Sequence, residues 1–249
     1  MYRHARHRLI ADLLSRMRAD VLEQTHCYFG GGTAASLLLG EYRESTGIDF
    51  LVSHEDGYRW LRNHLQENSL EAIFTAPDPL AQGRSVRMDR YGIRSFLSVG
   101  DVTIKFEIVS ENRIELRGVR VPGLGVPVLD KCCLIAEKLL ALADRWADAS
   151  THQRDLIDLA MMDKAWPEVL GSALKLAQVP YGASVYVALR KASLNALEKP
   201  DRLRDDLRAL KMDTSSIDAI AAFARARAHD DAALHTEQEV DPDVCPGLG

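Results

Sequence analysis

The sequence lacks long apolar runs, paired cysteine motifs and a large net charge. No stretch of its 249 residues approaches the roughly 20 consecutive apolar residues that a membrane-spanning helix needs. No Cys-x-x-Cys spacing occurs, so the cysteines indicate neither a zinc site nor a disulfide framework. Residues 1–18 lack the apolar centre of a secretory signal. We therefore predict a cytoplasmic protein that does not associate with a membrane.

The net charge of −5 does not by itself indicate a protein that binds nucleic acid. This average hides an asymmetry, because the residues from His229 onward carry six acidic side chains and no Lys or Arg. The rest of the chain is therefore close to neutral, and local basic patches remain possible. We predict that residues 229–249 form an acidic, disordered tail.

The two halves of the chain differ in their periodicity. Residues up to 126 mix helix-like and strand-like patterns, and the alternating run Val102–Val109 is typical of a strand. After the proline- and glycine-containing segment 122–127, the pattern is almost entirely helical. We predict an α+β (mixed α/β) protein, with an α/β lobe over 1–126 that contains a mixed sheet and a helical lobe over 127–228.

Apolar residues at helical spacing predict an amphipathic helix over residues 5–23. The arginines on its other positions are either solvent-exposed or able to contact RNA phosphates, and the sequence leaves both interpretations open. These arginines are Arg6, Arg8, Arg16 and Arg18.

A glycine turn, Gly30–Gly31–Gly32, separates a short predicted strand from a short helix, and a second strand carrying Asp49 follows. Glycines at such a turn allow the backbone to approach a phosphate, whose charge also suits the start of a helix. An aspartate on the next strand is placed to hold a metal ion over that phosphate. The stretch therefore predicts a phosphate-binding turn with an adjacent metal ligand.

Glu107 is a polar residue in the otherwise apolar strand Val102–Val109. If this strand lies beside the strand of Asp49, both carboxylates would face one point and could bind Mg²⁺. The alternative is that Glu107 lies on the solvent face, paired with Lys105. The sequence alone leaves both open.

A predicted helix in the second half carries cations at intervals of seven residues, Lys131, Lys138 and Arg145. Seven residues are nearly two helical turns, so the three share one side of the helix. Asp155 and Asp158, on the next helical segment, also share a face. A Lys and an Asp on adjacent helices could pair with each other, contact a triphosphate and its attacking hydroxyl, or remain surface charges.

Several motifs in order resemble the AbiEii/AbiGii nucleotidyltransferase toxin family, within the DNA polymerase β-like nucleotidyltransferase superfamily. The resemblance covers residues 25–165, and the later helices match only as a helical continuation. It is carried by Phe29-Gly-Gly-Gly-Thr-Ala34, Arg43-Glu-Ser-Thr-Gly-Ile-Asp-Phe50, Ile104-Lys-Phe-Glu-Ile108, Glu137-Lys-Leu-Leu-Ala-Leu142 with Asp144-Arg145, and Arg154-Asp-Leu-Ile-Asp-Leu-Ala160.

The resemblance implies a polymerase β-like N-lobe, a helical C-lobe and Mg²⁺-dependent transfer of a nucleotide from an NTP. It also implies a tRNA acceptor and a cognate antitoxin protein, in phage defence or growth control. The matching residues would be Gly31, Gly32 and Thr33 for the nucleotide phosphates, Asp49 and Glu107 for Mg²⁺, Lys138 for the triphosphate, and Asp155 as the C-lobe carboxylate, with Asp158 as its less favoured neighbour.

One position departs from the family pattern, because Gly47 stands where the family usually has the first Asp of an Asp-x-Asp motif. Losing a charged ligand weakens metal binding. The chain is then a weakly active or inactive relative, uses a neighbour such as Glu44 instead, or carries an inactivating change that makes a toxin tolerable. Two alternatives to the tRNA-modifying enzyme follow: a catalytically impaired protein that binds nucleotide, RNA or a protein partner, and a nucleotidyltransferase that modifies a small molecule.

Overall fold

The computed structural model describes residues 2–75 and 86–229. The chain divides into two compact units, Met1–Asp130 and Lys131–Gly249. The sequence placed the boundary at residue 126, but residues 127–129 form a strand of the N-terminal sheet. The predicted loop over residues 76–82 and the tail prediction from residue 230 onward lie outside the described residues.

The N-terminal unit consists of four α-helices and seven strands within its described residues. The helices are α1 (Ala5–Ser15), α2 (Ala19–Gln24), α3 (Gly31–Leu38) and α4 (Glu55–Asn68), followed by a 3-10 turn over Ser69–Ala72. The strands are β1 (Cys27–Gly30), β2 (Gly47–Val52), β3 (Arg87–Met88), β4 (Gly92–Val99), β5 (Val102–Ser110), β6 (Gly118–Arg120) and β7 (Pro127–Leu129).

The strands form one mixed sheet in the order β3-β4-β5-β2-β1-β7-β6. Strands β2 and β5 are parallel, as are β1 and β7, and the other neighbours are antiparallel. Phe29, Phe50 and Phe106 lie on β1, β2 and β5 and are fully buried. Their ring centroids are 5.6 and 6.0 Å apart in succession, so three adjacent strands pack one aromatic row into the core. The predicted mixed α/β class is confirmed.

The single helix predicted over residues 5–23 is wrong, because the structure has two helices separated at residues 16–18. The Arg18 N–H donates to the Ile73 carbonyl, and the Thr75 N–H donates to the Arg16 carbonyl. Met17 and Phe74 form an isolated β-bridge between them. A distant segment therefore satisfies the backbone hydrogen-bonding groups of residues 16–18. The local periodicity of the sequence does not predict this pairing.

Ser53 precedes α4 in the sequence and is of a residue type that commonly caps helices, so the sequence predicts that it caps α4, but the structure differs. The Nδ1 atom of His54 accepts the N–H of Gly57 at 3.2 Å and caps the helix. The Ser53 hydroxyl instead accepts the N–H of Leu116 at 2.9 Å. The alternating pattern of residues 113–121 predicts a longer strand, but only β6 forms there.

The C-terminal unit is helical throughout its described length, with no strand between residues 131 and 229. Its helices are α5 (Lys131–Arg145), α6 (Arg154–Ala165), α7 (Leu170–Tyr181), α8 (Ser184–Glu198), α9 (Pro200–Ala209) and α10 (Ile217–Ala228), with 3-10 turns over Ala149–Thr151 and Thr214–Ser216. Helix α9 was not predicted. It begins at Pro200, whose fixed φ suits the first turn of a helix.

Among the described residues, no helix is both long enough and apolar enough to cross a bilayer. Cys27 and Cys133 are buried thiols.

A substitution at Gly57 of α4 would test how closely this helix packs against the end of α2. A Cβ atom at this position would lie 2.1 Å from the Thr25 carbonyl oxygen, a backbone atom that cannot turn away. We expect Gly57→Ala to lower the free energy of unfolding by about 1–3 kcal/mol or more. Gly171→Ala is the control, since its Cβ would meet no atom within 4 Å in α7. We expect this change to stabilise the helix by roughly 0.5–1 kcal/mol.

Urea denaturation followed by circular dichroism measures both changes. Equal midpoints for the two variants would show that α2 and α4 are not packed as described.

Candidate functional site

Asp49 and Glu107 lie side by side on adjacent strands. In the parallel pair β2–β5, the Cα of Asp49 pairs with that of Glu107, and Gly47 pairs with Lys105. On the other side of β2, Asp49 pairs with Gly30 of β1. Paired residues of neighbouring strands point to the same face of a sheet. The two carboxylates therefore share one face, next to the glycine turn.

Gly31 brings the turn against the Asp49 side chain. Its φ of +68° lies in the left-handed region, where a side chain is disfavoured. A Cβ atom at Gly31 would lie 2.6 Å from Oδ2 of Asp49, inside contact distance. Glycine is therefore required here both by conformation and by space. Of the predicted phosphate-binding residues, Gly31 is partly exposed and Gly32 is buried.

Thr33 is fully buried. Its hydroxyl donates to the Gly47 carbonyl at 2.6 Å and lies 2.8 Å from the Ser45 hydroxyl. A hydroxyl has one proton, so Thr33 donates to Gly47 and accepts from Ser45. In this structure the predicted phosphate ligand Thr33 holds the start of β2.

Glu107 lies between two cations. Its Oε2 contacts the Lys105 ammonium, and its Oε1 lies 3.3 Å from Nε of Arg94. Arg94 also contacts Asp89 at 2.9 Å. Lys105 and Arg94 are about half exposed, whereas the Glu107 side chain is 17% exposed. The two interpretations from the sequence therefore hold together: Glu107 neighbours Asp49 and also pairs with Lys105.

The space beside Gly47 is open. A Cβ atom built there would be 3.5 Å from the Lys105 carbonyl oxygen and 3.9 Å from both carboxylate oxygens of Asp49. These are ordinary van der Waals distances, so a Cβ atom fits at this position without movement of the backbone. Position 47 points to the same face as Asp49, two residues further along β2. The absence of an aspartate at position 47 therefore leaves this face with two carboxylates, those of Asp49 and Glu107, beside the glycine turn. The suggested substitute, Glu44, lies in the connection before β2 and is partly exposed.

The donor set on this face fits one divalent cation. Asp49 and Glu107 supply carboxylate oxygens from adjacent strands, and such oxygens are the ligands that Mg²⁺ prefers. Binding would require Glu107 to exchange at least one contact with Lys105 or Arg94. Exposed ion pairs of this kind contribute little to stability, so the exchange costs little.

Lys138 and Asp155 come together in the C-terminal unit, within a cluster of four charges of which three are buried and the fourth, Arg145, is partly exposed. The Lys138 ammonium lies 3.2 Å from Oδ1 of Asp155 and 2.8 Å from Oδ2 of Asp158. Arg145 makes two contacts with Asp155, from Nε at 2.7 Å and from a terminal nitrogen at 2.9 Å. The Lys138, Asp155 and Asp158 side chains are at most 7% exposed. The third cation of the predicted stripe, Lys131, lies 5.5 Å from the ring centroid of Trp166.

This cluster favours the ionised form of Asp155. Burial alone would raise the pKa of Asp155, but the charges of Lys138 and Arg145 outweigh it and hold that pKa below its ordinary value. The hydrogen bond to Asp155 in turn raises the pKa of Arg145. A carboxylate with a lowered pKa is a weak proton acceptor. The catalytic roles implied for Lys138 and Asp155 stay predictions, and in this structure their charges balance each other within the helical unit.

Arg94 is the site residue that sequence reasoning missed. It is the cross-strand partner of Glu107 in the antiparallel pair β4–β5. A basic residue in the alternating run Ile93–Val99 was the available signal. Its meaning depended on knowing which strand lies beside β5, and that is a property of the sheet as a whole.

Comparisons with known proteins agree with this architecture. A family model described as "Nucleotidyl transferase AbiEii toxin, Type IV TA system" matches residues 12–233. The crystal structure of JHP933 from Helicobacter pylori aligns at 18% identity with a TM-score of 0.54, covering 90% of each chain. The crystal structure of a provisionally assigned nucleotidyltransferase from H. pylori aligns at 18% identity with a TM-score of 0.50, covering 89% of this chain and 93% of the H. pylori chain. No curated protein sequence matches. The two structures show the fold alone, and the predicted fold class is confirmed.

The buried charge cluster makes a prediction about stability. We expect Lys138→Met to lower the free energy of unfolding by about 3–5 kcal/mol, because it leaves two buried carboxylates short of a positive charge. Lys175→Met, at an exposed position of α7, is the matched control and should change stability by less than about 0.5 kcal/mol. Urea denaturation distinguishes them. If the two variants unfold alike, Lys138 is not held by its carboxylates, and a role in contacting a ligand gains support.

Proposed function

The chain belongs to the AbiEii family of type IV toxin–antitoxin nucleotidyltransferases, and from this premise we propose that it transfers a nucleotide from an NTP to an RNA acceptor in an Mg²⁺-dependent reaction. The observation that carries the proposal is the in-register pair Asp49–Glu107 beside the left-handed Gly31. Two carboxylates for a divalent cation and a glycine turn for an anion are the parts that a bound Mg²⁺–triphosphate requires.

In this reaction a hydroxyl oxygen of the acceptor bonds to the α-phosphorus of the NTP, and the bond from that phosphorus to the oxygen that bridges it to the β-phosphorus breaks. Pyrophosphate leaves with that oxygen, and the hydroxyl proton passes to water. A bound Mg²⁺ ion would neutralise charge on the phosphates as it develops. The protein's part is to hold the ion and orient the phosphates. Asp49 and Glu107 would hold the ion, Gly31 would let the phosphates approach the backbone, and Arg94 and Lys105 add positive charge at the same face.

We propose tRNA as the acceptor and an antitoxin protein as the partner. The family assignment supports the antitoxin, since the matching family is part of a type IV toxin–antitoxin system. Arg6 and Arg8 of α1 carry positive charge that would suit a polyanionic acceptor, and in this structure they donate to backbone carbonyls, Arg6 to Thr103 and Arg8 to Tyr2 and Arg3.

A second candidate is a protein that binds the nucleotide without transferring it. Two features favour this second candidate. Position 47 carries no carboxylate, and its cross-strand partner Lys105 contacts Glu107, one of the two carboxylates that would hold the metal ion. The Lys105 ammonium could bind a phosphate directly, as a point charge, without a metal ion between them. The two candidates differ in whether label from an NTP becomes covalently attached to RNA.

The Gly47→Asp substitution tests which candidate holds. Because a Cβ atom fits at position 47, we expect this variant to fold and to transfer label from NTPs to total tRNA faster than the natural chain. The measurement is incorporation of labelled NTPs with Mg²⁺ and tRNA. Asp49→Ala should abolish it. Gly171→Asp, which adds the same charge at an open position of α7, is the control and should have no effect.

Label from neither the natural chain nor Gly47→Asp would overturn transferase activity. Label from the variant alone would establish the impaired reading, and label from both would establish the enzyme.

Gly31→Ala tests the phosphate-binding turn. We expect at least a tenfold loss of Mg²⁺-dependent NTP affinity, equivalent to about 1.4 kcal/mol, because the new methyl group displaces the Asp49 carboxylate. Gly40→Ala is a matched control: its φ of +74° carries the same conformational cost, but its Cβ would meet no atom within 4 Å. Titration of a fluorescent NTP measures both. Equal losses would attribute the effect to backbone strain, and the proposed binding site would lose its support.

A further inference from the structure

His7 lies on α1, is fully buried, and uses both of its ring nitrogens. Its Nε2 accepts the backbone N–H of Ser45 at 2.9 Å, and its Nδ1 lies 2.8 Å from Oε1 of Glu41. A backbone N–H can only donate, so Nε2 carries a lone pair and the proton of the neutral ring is on Nδ1. His7 therefore accepts from Ser45 and donates to Glu41, which links α1 to both ends of the segment that precedes β2.

Glu41 is held in a conformation that residues other than glycine rarely adopt. Its φ is +59°, and the residue is only 5% exposed. Its carboxylate accepts the backbone N–H groups of Arg3 and His4 at the start of α1. Burial alone would raise the pKa of Glu41, but these donors and His7 outweigh it and lower that pKa. A strained residue persists only where its surroundings fix it, and here the carboxylate is fixed by three donors.

A chain of hydrogen bonds continues from His7 to the strand that carries Asp49. His7 holds the backbone of Ser45, the Ser45 hydroxyl donates to Thr33, and the Thr33 hydroxyl donates to the Gly47 carbonyl. Asp49 is two residues further along β2. The position of the Asp49 carboxylate therefore depends on a buried network that reaches back to α1.

Three possible metal ligands of this network, His4, His7 and Glu41, have donor atoms within 4.8 Å of one another. Among the described residues, the His4 Nε2 atom is buried and has no hydrogen-bond partner. A metal on Nδ1 of His7 would displace the proton to Nε2, which would then face the N–H of Ser45. Two donors would confront each other, so the network fits a structural connection better than a metal ion.

We propose that His7 is a positioning residue for the nucleotide site, holding the segment 41–47 so that Asp49 keeps its place beside Gly31. The inference rests on the proposed function, because it assigns His7 a role in that site. His7 would contact neither the NTP nor the Mg²⁺ ion, and it acts through Ser45 and Thr33.

The connection is sensitive to pH because it requires neutral His7. Protonation would place a second N–H at Nε2, opposite the N–H of Ser45. Burial, which outweighs the favourable contact with Glu41, lowers the pKa of His7, and the charges of His4 and Glu44 also act on it. Since the folded pKa is lowered, the connection is complete above the unfolded value of about 6.5 and is lost as the pH falls through the folded value.

Two substitutions separate the contact with Ser45 from the rest. His7→Gln provides an acceptor oxygen at a reach similar to that of Nε2 and does not titrate. His7→Asn provides an amide at the position of Nδ1, able to contact Glu41, but is too short to reach Ser45. The natural chain and both variants are compared at about pH 7.5 and at a series of lower pH values that ends just above acid unfolding, because the folded pKa of His7 lies below the ordinary histidine value of about 6.5.

Hydrogen exchange of the peptide 41–48, measured by mass spectrometry and corrected for intrinsic rates, reports the connection without any ligand. We expect its protection in the natural chain to fall about fivefold as the pH is lowered through the folded pKa of His7, as the loss of one hydrogen bond produces. His7→Gln should show no such fall, and His7→Asn should be poorly protected throughout the series. Mg²⁺-dependent affinity for a fluorescent NTP should follow the same order.

Protection in the natural chain that does not change with pH, or that falls equally in His7→Gln, would overturn the connection. NTP affinity that is the same in all three proteins would overturn the positioning role. If none of the three binds NTP, the proposed function fails, and the exchange data then decide by themselves whether His7 holds the segment. Stoichiometric binding of Zn²⁺ that His7→Gln abolishes would show a metal site instead and would also overturn the proposal.

Discussion

The approach of the Asp49 carboxylate to the backbone of Gly31 constrains the whole N-terminal site. It requires glycine at the start of α3, because a methyl group there would overlap the carboxylate. It also fixes the relation of three strands, since Asp49 pairs with Gly30 on one side and with Glu107 on the other. Helix, turn and sheet therefore meet at one close contact, and a shift of any of them moves both carboxylates.

The two charged groups of the protein differ in how readily they can exchange partners. Glu107 is paired with cations that are about half exposed, so water or a ligand can replace them at little cost. Lys138 and its carboxylates are buried, and removing one partner there would leave an uncompensated charge. The first arrangement suits a site that opens for a ligand, and the second suits a support that does not change.

Much of this fold could be predicted from local patterns, because strand alternation and helical spacing reflect one buried face of each element. The glycine turn and the strand of Asp49 belong to this class. What could not be predicted depends on distant partners. The break between α1 and α2 exists because residues 73–75 pair with residues 16–18. Predicting that Arg94 lies beside Glu107 requires knowledge of the strand order. Predicting that Lys138 is buried requires knowledge of how α5 packs against α6.

Position 47 separates the stability of the protein from its chemistry. The Thr33 hydroxyl holds the Gly47 carbonyl, and this contact involves only the backbone, so it persists whichever side chain stands there. A Cβ atom at this position would meet only ordinary van der Waals contacts, the nearest at 3.5 Å. A glycine codon can become an aspartate codon by one base change. One base change can therefore alter the charge beside Asp49 while the backbone contacts of this position stay in place.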